Sequence, residues 1–258
     1  MDKIKLLLVE DDKFYQRIIE KIILSNFPEI TISAKAADVK TANELILKHE
    51  PQVLVLDVNL PDGTAFDLLK HFDHPDFRVV FVSAYKEYVM DSLKFSFVDF
   101  VFKPFDAADL IVAVDDAIQE LEKHDYHLKI ETLVDNLNSS TGVSKMILPG
   151  DELHKVNVDD IKWAYSVKNG SIFFLNDGNE YFTPVPLRRF ELLLRTYGFV
   201  RPNPRALINM AYVKFMDEKT CSLYFEENIY VHYEQRKTEM LRLLMNEFSK
   251  GPLNKLHV

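Results

Sequence analysis

Three runs in the first third of the chain, Leu6-Leu7-Leu8-Val9, Val53-Leu54-Val55-Leu56 and Val79-Val80-Phe81-Val82, are apolar at every position yet only strand-length. A strand that shows one face to water alternates polar and apolar residues. A run that does not alternate must be buried on both faces, as in a parallel sheet covered by helices on each side. Amphipathic stretches fall between the runs, at residues 14–25, 39–48, 65–72, 86–94 and 107–122, and shorter apolar segments at 31–34 and 100–102 complete the series. Five strands alternating with five helices predict an α/β doubly wound, five-stranded parallel sheet. In such sheets ligands bind beyond the carboxyl ends of the strands, so the residues that follow each apolar run are where chemistry is expected.

After residue 145 the pattern changes to short strands broken by turns. Strands are expected at 146–148, 152–156, 161–167, 171–175, 180–182, 211–216 and 220–225, with helices at 187–195 and 235–248. Asn169-Gly170 and Asp177-Gly178 are hairpin signals, because tight turns need positive φ angles. The second half is therefore read as a mostly antiparallel β domain. The segment 135–143, Asp-Asn-Leu-Asn-Ser-Ser-Thr-Gly-Val, is the best linker candidate, and the division predicted is 1–124, a helical extension and linker at 125–144, and 145–258.

Charge supports two modules. Residues 1–144 hold 15 Lys/Arg against 26 Asp/Glu, a balance of −11, whereas residues 145–258 hold 16 against 14, a balance of +2. The overall −9 alone argues against nucleic acid as a partner, but the second half escapes that argument. The start, Met-Asp-Lys-Ile-Lys-Leu-Leu-Leu-Val-Glu-Asp-Asp, carries no secretory pattern, and no apolar run approaches the length needed to cross a bilayer. A cytoplasmic location and no membrane partner are expected. The single Cys221 can form no internal disulfide and reads as packing within an apolar strand.

Ionisable residues gather at the predicted strand ends: Glu10 and Asp11 after the first, Asp57 after the third, Ser83 after the fourth, Lys103 after the fifth. Clustered carboxylates repel one another unless a cation is present, and Mg²⁺ suits a few carboxylates with retained waters and phosphate oxygens. A carboxylate can also attack phosphorus to give an acyl phosphate while a metal and a lysine neutralise the transferring oxygens. These properties assign Asp57 as nucleophile, Glu10 and Asp11 as metal ligands, Lys103 as phosphate partner and Ser83 as hydrogen-bond donor. Any one of them could simply cap the following helix; five together point to a site. Asp12 reads as a helix-start acid.

The segments LLLVEDD, VLVLDVNLPDGTAFDLLK, VVFVSAY and DFVFKPF, spanning residues 3 to about 122, resemble the diagnostic segments of response-regulator receiver domains, which have a flavodoxin-like fold. The resemblance implies that Asp57 is phosphorylated by a sensor histidine kinase, that Asn59 completes the Mg²⁺ shell through its backbone, that Ser83 and Phe100 are the switch pair, and that the Lys103-Pro104 bond is cis. It implies no enzyme turnover beyond slow self-dephosphorylation. It also implies a changed surface over residues 86–94, 98–102 and 106–121, commonly one that favours a homodimer.

The segments IKWAYSVKNGSIFFLNDGNEYFTPVPLRRFELLL and FVRPNPRALINMAYVKFM resemble the LytTR family of DNA-binding domains. The family's Phe-x-Arg-x-His-Arg-Ser appears here with Asn203-Pro204-Arg205 in place of His-Arg-Ser, while Arg201 and Asn209 are retained, and its Val-Ser-Arg appears as Val231-His232-Tyr233. Lys168, Asn169, Arg201, Asn203, Arg205, Tyr233, Arg236 and Lys237 are the candidates for contact with double-stranded DNA; the bland reading of each is a solvated surface residue. The combined expectation is a phosphorylation-controlled transcription regulator. The alternatives are a receiver-controlled protein-interaction module, suggested by the altered 203–205 motif, and a phosphohydrolase, which Asn59 disfavours because such enzymes need a second Asp there.

Overall fold

A computed structural model of the chain describes residues 3–72, 75–84, 94–96, 98–139, 143–226 and 229–248. They form two compact units, Met1–Ile147 and Leu148–Val258.

In the first unit the strands are β1 (Ile4–Val9), β2 (Ile30–Ala36), β3 (Val53–Asp57), the short β4 (Asn59–Leu60) and β5 (Gly63–Thr64), β6 (Arg78–Ser83) and β7 (Asp99–Phe102). The helices are α1 (Lys13–Asn26), α2 (Val39–His49), α3 (Ala65–Leu69), α4 (Ala107–Gln119) and α5 (His127–Asn138). The main sheet is five-stranded in the order β2-β1-β3-β6-β7, and all its pairings are parallel. This is the flavodoxin-like arrangement that the unbroken apolar runs predict. Successive residues of each central strand enter opposite cores: Leu7, Leu54 and Phe81 meet Ala42 and Leu68, while Leu8, Val55 and Val82 meet Ile19, Ile23 and Val114. Burying each such side chain contributes about 1.5–3 kcal/mol, so the sheet is held from both sides. Asp12 caps α1, accepting a hydrogen bond from the Phe14 N–H at 2.7 Å, as its reading as a helix-start acid anticipates. Nearly all of the expected helix at 86–94 lies outside the described residues.

The segment after α4 is more ordered than its composition suggests. Residues Asp135–Asn138 of the Asn/Ser-rich stretch belong to α5, and Tyr126, Ile130 and Leu133 join the core that contains Leu54 and Phe81. The Arg78 guanidinium donates to the carbonyls of Glu120, Leu121 and Lys123 at 2.8, 3.0 and 2.6 Å, and Lys129 pairs with Glu120 at 2.7 Å. The Asn136 amide accepts from the Ser144 and Lys145 N–H groups and donates to the Lys145 carbonyl, standing in for a backbone partner. Composition reads asparagine as loop because its amide bonds backbone; here it does so from within a helix. Strand β8 (Lys145–Leu148) follows.

The second unit contains β9 (His154–Asn157), β10 (Ile161–Val167), β11 (Gly170–Leu175), β12 (Glu180–Thr183), α6 (Leu187–Leu194), β13 (Phe199–Asn203), β14 (Ala206–Asn209), β15 (Phe215–Asp217), β16 (Ser222–Glu226), β17 (Ile229–His232) and α7 (Thr238–Phe248). An antiparallel sheet in the order β12-β11-β10-β14-β13 and a three-stranded antiparallel sheet β15-β16-β17 share a core built on Trp163, Ile208, Leu223, Phe225, Val231, Tyr233 and Leu241. Gly170 is required in the β10–β11 hairpin: its φ is +155°, and a Cβ there would lie 2.0 Å from the Thr183 carbonyl oxygen.

Two expectations are corrected here, and strands that were not expected are added. The strand placed at 211–216 is instead the end of a 3-10 turn at Met210–Tyr212 and the start of β15, and β14 just before them is a further strand. No strand is expected at 199–203; β13 there is an edge strand, where Pro202, a residue without an N–H, is tolerated. β17, which pairs with β16 in the other sheet, is not among the expected strands because its flanks are polar. Cys221 is not inside a strand: it is half-buried in the turn before β16, with φ at +49°.

Candidate functional site

Four of the five ionisable residues singled out at the strand ends are bonded to one another by side chain or backbone at the carboxyl edge of the parallel sheet. β1 runs straight into Glu10, β3 ends on Asp57, β6 on Ser83, and Lys103 follows β7. The Lys103 Nζ lies 2.6 Å from Asp57 Oδ2 and 2.6 Å from Glu10 Oε2. All three side chains are buried. The Lys103 N–H donates to the Ser83 carbonyl at 2.8 Å, which fixes the lysine against the end of β6. The Asn59 N–H donates to Asp57 Oδ1 at 3.2 Å. The Lys103-Pro104 bond is cis. Tyr15 of α1 lies beneath the ammonium, 4.5 Å from nitrogen to ring centroid.

Electrostatics set the character of this site. Burial lifts Glu10 from 4.5 to about 7, opposed by its hydrogen bond with Lys103 and assisted by the neighbouring Asp57 charge. Burial alone would lower Lys103, but its bonds to Asp57 and Glu10 more than offset that and raise it. Asp11 is exposed at the mouth of the cluster, and carboxylate oxygens of Glu10, Asp11 and Asp57 all lie within 4.8 Å of one another. Three carboxylates against one ammonium leave an excess of negative charge at a site made of oxygen donors. That combination fits a hard divalent cation. Phe100 is half-buried on β7, edge-on to Phe102 at 4.8 Å and packed against the core that α5 completes.

In the second unit the eight candidates for DNA contact separate. Lys168 and Asn169 form the exposed tip of the β10–β11 hairpin, and Arg205 is exposed in the turn between β13 and β14. Arg201 is paired with Glu191 at 2.6 Å and also donates to the Pro204 carbonyl. Arg236 is held by Glu234 at 2.7 Å, and Lys237 donates to the Arg201 carbonyl. Asn203 uses Oδ1 to accept from the Arg205 and Ala206 N–H groups and Nδ2 to donate to the His232 carbonyl. Tyr233 is contrary to its expected role, since it is 5% exposed and belongs to the core with Val231 and Leu241. On β17 the alternation turns Val231 and Tyr233 inward and leaves Tyr230 and His232 outside, and this alternation was the signal available for those two residues. Asn203, Arg205, Tyr230 and His232 line one cleft together with Tyr165 and Ser166. Asn209 is buried, donating to the Ile161 carbonyl and accepting from the Ala211 N–H, both at 3.0 Å.

Comparison with known proteins divides the chain at the same place as its two units. Residues 6–115 match the family model of the response regulator receiver domain, and residues 151–246 match that of the LytTr DNA-binding domain. The sensory transduction protein LytR of Staphylococcus saprophyticus is 25% identical over 222 residues, covering 82% of this chain and 85% of that protein. The sensory transduction protein LytT of Bacillus anthracis is 25% identical over 258 residues, covering 97% and 94%. The transcriptional regulatory protein BtsR of Salmonella typhi is 26% identical over 249 residues, covering 93% and 98%. Among the described residues no helix is long and apolar enough to cross a membrane.

Proposed function

We propose that Asp57 accepts a phosphoryl group in this chain, which is a two-component response regulator made of a receiver domain followed by a LytTR DNA-binding domain. The observation that carries the assignment is Lys103, whose ammonium lies 2.6 Å from both Asp57 and Glu10 at the buried carboxyl edge of the sheet. An Asp57 oxygen attacks the phosphorus of a phosphohistidine on the sensor kinase. The P–N bond breaks, the imidazole leaves with a proton, and an acyl phosphate remains on Asp57. Lys103, released from the free carboxylate, pairs with an oxygen of the new phosphate. Glu10, Asp11, Asp57 and the Asn59 backbone would hold Mg²⁺, which when bound neutralises charge on the phosphoryl oxygens.

Ser83 then donates to the phosphate and Phe100 shifts within its half-buried position, changing the surface around β7 and α4 in favour of a homodimer that spans paired half-sites on DNA. On this reading the phosphoryl group leaves only by slow self-dephosphorylation. We assign residues 1–124 to the receiver and 145–258 to the DNA-binding domain, with 125–144 a helical extension carried on the receiver core by Tyr126, Ile130 and Leu133. Lys168 and Arg205, cations at exposed turns, are the first choice for phosphate and base contacts. The protein acts in the cytoplasm, where the kinase phosphodonor and the chromosome are both reached.

A gel-shift titration against genomic duplex fragments, with and without a small-molecule phosphodonor and Mg²⁺, tests this reading. Binding strengthened by the donor in the wild type but not in Asp57→Asn is the expected result. Equal binding by both proteins under both conditions would refute the phosphorylation control.

A further inference from the structure

We infer that His232 is a base-reading residue of the DNA-binding domain, presenting Nε2 as hydrogen-bond acceptor to an amino-bearing base edge. The inference rests on the second unit's binding DNA and adds which side chain reads sequence and what it reads.

The ring of His232 is held from two directions. Its Nδ1 lies 3.0 Å from the hydroxyl of Ser222, a buried residue across the β16–β17 pairing. The Ser222 hydroxyl also lies 3.2 Å from the Thr220 carbonyl oxygen, and we assign its single proton there. With that assignment the serine oxygen accepts from an Nδ1–H, and Nε2 carries the lone pair. The ring is also the end of an aromatic row that crosses the three-stranded sheet. Phe215 stacks on Tyr224 at 4.4 Å, Tyr224 meets Tyr230 at 5.3 Å, and Tyr230 meets His232 edge-on at 5.1 Å. A side chain fixed at Nδ1 and buttressed on one face is pre-organised, and an exposed, pre-organised polar atom suits recognition.

The surroundings of His232 fit a nucleic-acid edge. It lines a cleft with Arg205, and Asn203 ties the two sides together by donating to the His232 carbonyl and accepting from the Arg205 N–H. The cleft thus holds a cation for phosphate or guanine on one wall and an acceptor on the other. Tyr233, the neighbouring candidate, is buried and cannot reach. In the major groove adenine N6 and cytosine N4 are the donors, whereas guanine and thymine offer only acceptors at the corresponding edge. An accepting Nε2 therefore selects adenine or cytosine on the strand it faces.

The test is selection of bound sequences from a random duplex pool by the full-length, phosphodonor-treated protein, run in parallel for wild type, His232→Asn and His232→Gln. Asparagine places its amide where Nδ1 stands, keeping the Ser222 partner while removing the reading atom; glutamine places an amide oxygen or nitrogen near Nε2. Thermal unfolding of each variant separates a structural role from a reading one. The expected result is that His232→Asn keeps the wild-type melting temperature and its salt-dependent affinity for non-specific duplex. It loses preference at one adenine or cytosine position by about tenfold or more, and His232→Gln retains part of that preference. An unchanged selected motif in His232→Asn would overturn the inference while leaving DNA binding intact. So would a loss confined to guanine positions. A wild-type protein that enriches no duplex at low salt would overturn both the inference and the DNA-binding reading beneath it.

Discussion

The ammonium of Lys103 and the carboxylate of Asp57 are 2.6 Å apart, the lysine reaching from the residue after β7 to the end of β3 across the intervening β6. Both side chains are less than a tenth exposed, and the same ammonium holds Glu10. The lysine therefore neutralises the carboxylate proposed as phosphoryl acceptor.

Removing that cation leaves two buried carboxylates without a cationic partner. Lys103→Met should lower the unfolding free energy by about 3–5 kcal/mol when measured by urea titration in chelator, the scale for breaking a buried pair from one side. Excess Mg²⁺ should recover part of the loss, because a cation replaces a cation. A variant as stable as wild type in chelator would show that the pair is unimportant to the fold.

Metal binding should depend on the exposed member of the acidic group. Mg²⁺ at a hundred times its dissociation constant should stabilise the wild-type receiver by about 2.7 kcal/mol through linkage. Asp11→Asn should reduce that response strongly while leaving stability in chelator nearly unchanged, since Asp11 lies exposed at the edge of the cluster. Calorimetric melting with and without Mg²⁺ reads both quantities, and an undiminished response in the variant would remove Asp11 from the metal shell.

Tyr126 tests the attachment of α5. Its hydroxyl accepts from the Val79 N–H at 2.9 Å, just below the point where β7 begins pairing at Val80 and Asp99. The phenol supplies the partner that the sheet lacks there. Tyr126→Phe should cost about 1–3 kcal/mol in denaturant unfolding of the receiver, the penalty for a buried donor left unsatisfied. A neutral substitution would mean that another group or water takes its place.

The exposed and buried members of the DNA-contact candidates should behave oppositely. Tyr233→Ala should cost about 3–5 kcal/mol of stability, as truncation of a core aromatic does. Arg205→Ala should melt with the wild type and lose affinity for a selected duplex by about 1–3 kcal/mol. The paired measurements are thermal melting and duplex titration for each variant. Unfolding in Arg205→Ala, or undisturbed stability in Tyr233→Ala, would reverse the roles given to them.

The receiver was legible in the sequence to within a residue or two at most strand ends. Fully buried parallel strands write themselves as unbroken apolar runs, and the residues after them have one place to go. Glu10, Asp57, Ser83 and Lys103 were found that way, and Asp11 with them. The second half was less legible because its edge strand carries Pro202 and because β17 is short and polar on one side, so its register, and with it which side chains face out, was not read from its alternation. Tyr233 was chosen as a contact and His232 passed over for that reason: one step of alternation separates core from surface. The order in residues 135–138 was hidden for a different reason, since Asn136 does by hydrogen bonding what a linker residue does by being solvated.

The central claim is tested most directly by locating the phosphoryl group. The purified protein is treated with a small-molecule phosphodonor and Mg²⁺, then digested and analysed by mass spectrometry, alongside Asp57→Asn. One phosphoryl group, labile to hydroxylamine and confined to the peptide containing Asp57, is predicted in the wild type and should be missing from the variant. Equal labelling of Asp57→Asn, or a stable phosphoryl group on a hydroxyl side chain in both proteins, would contradict the assignment of Asp57 as the acceptor.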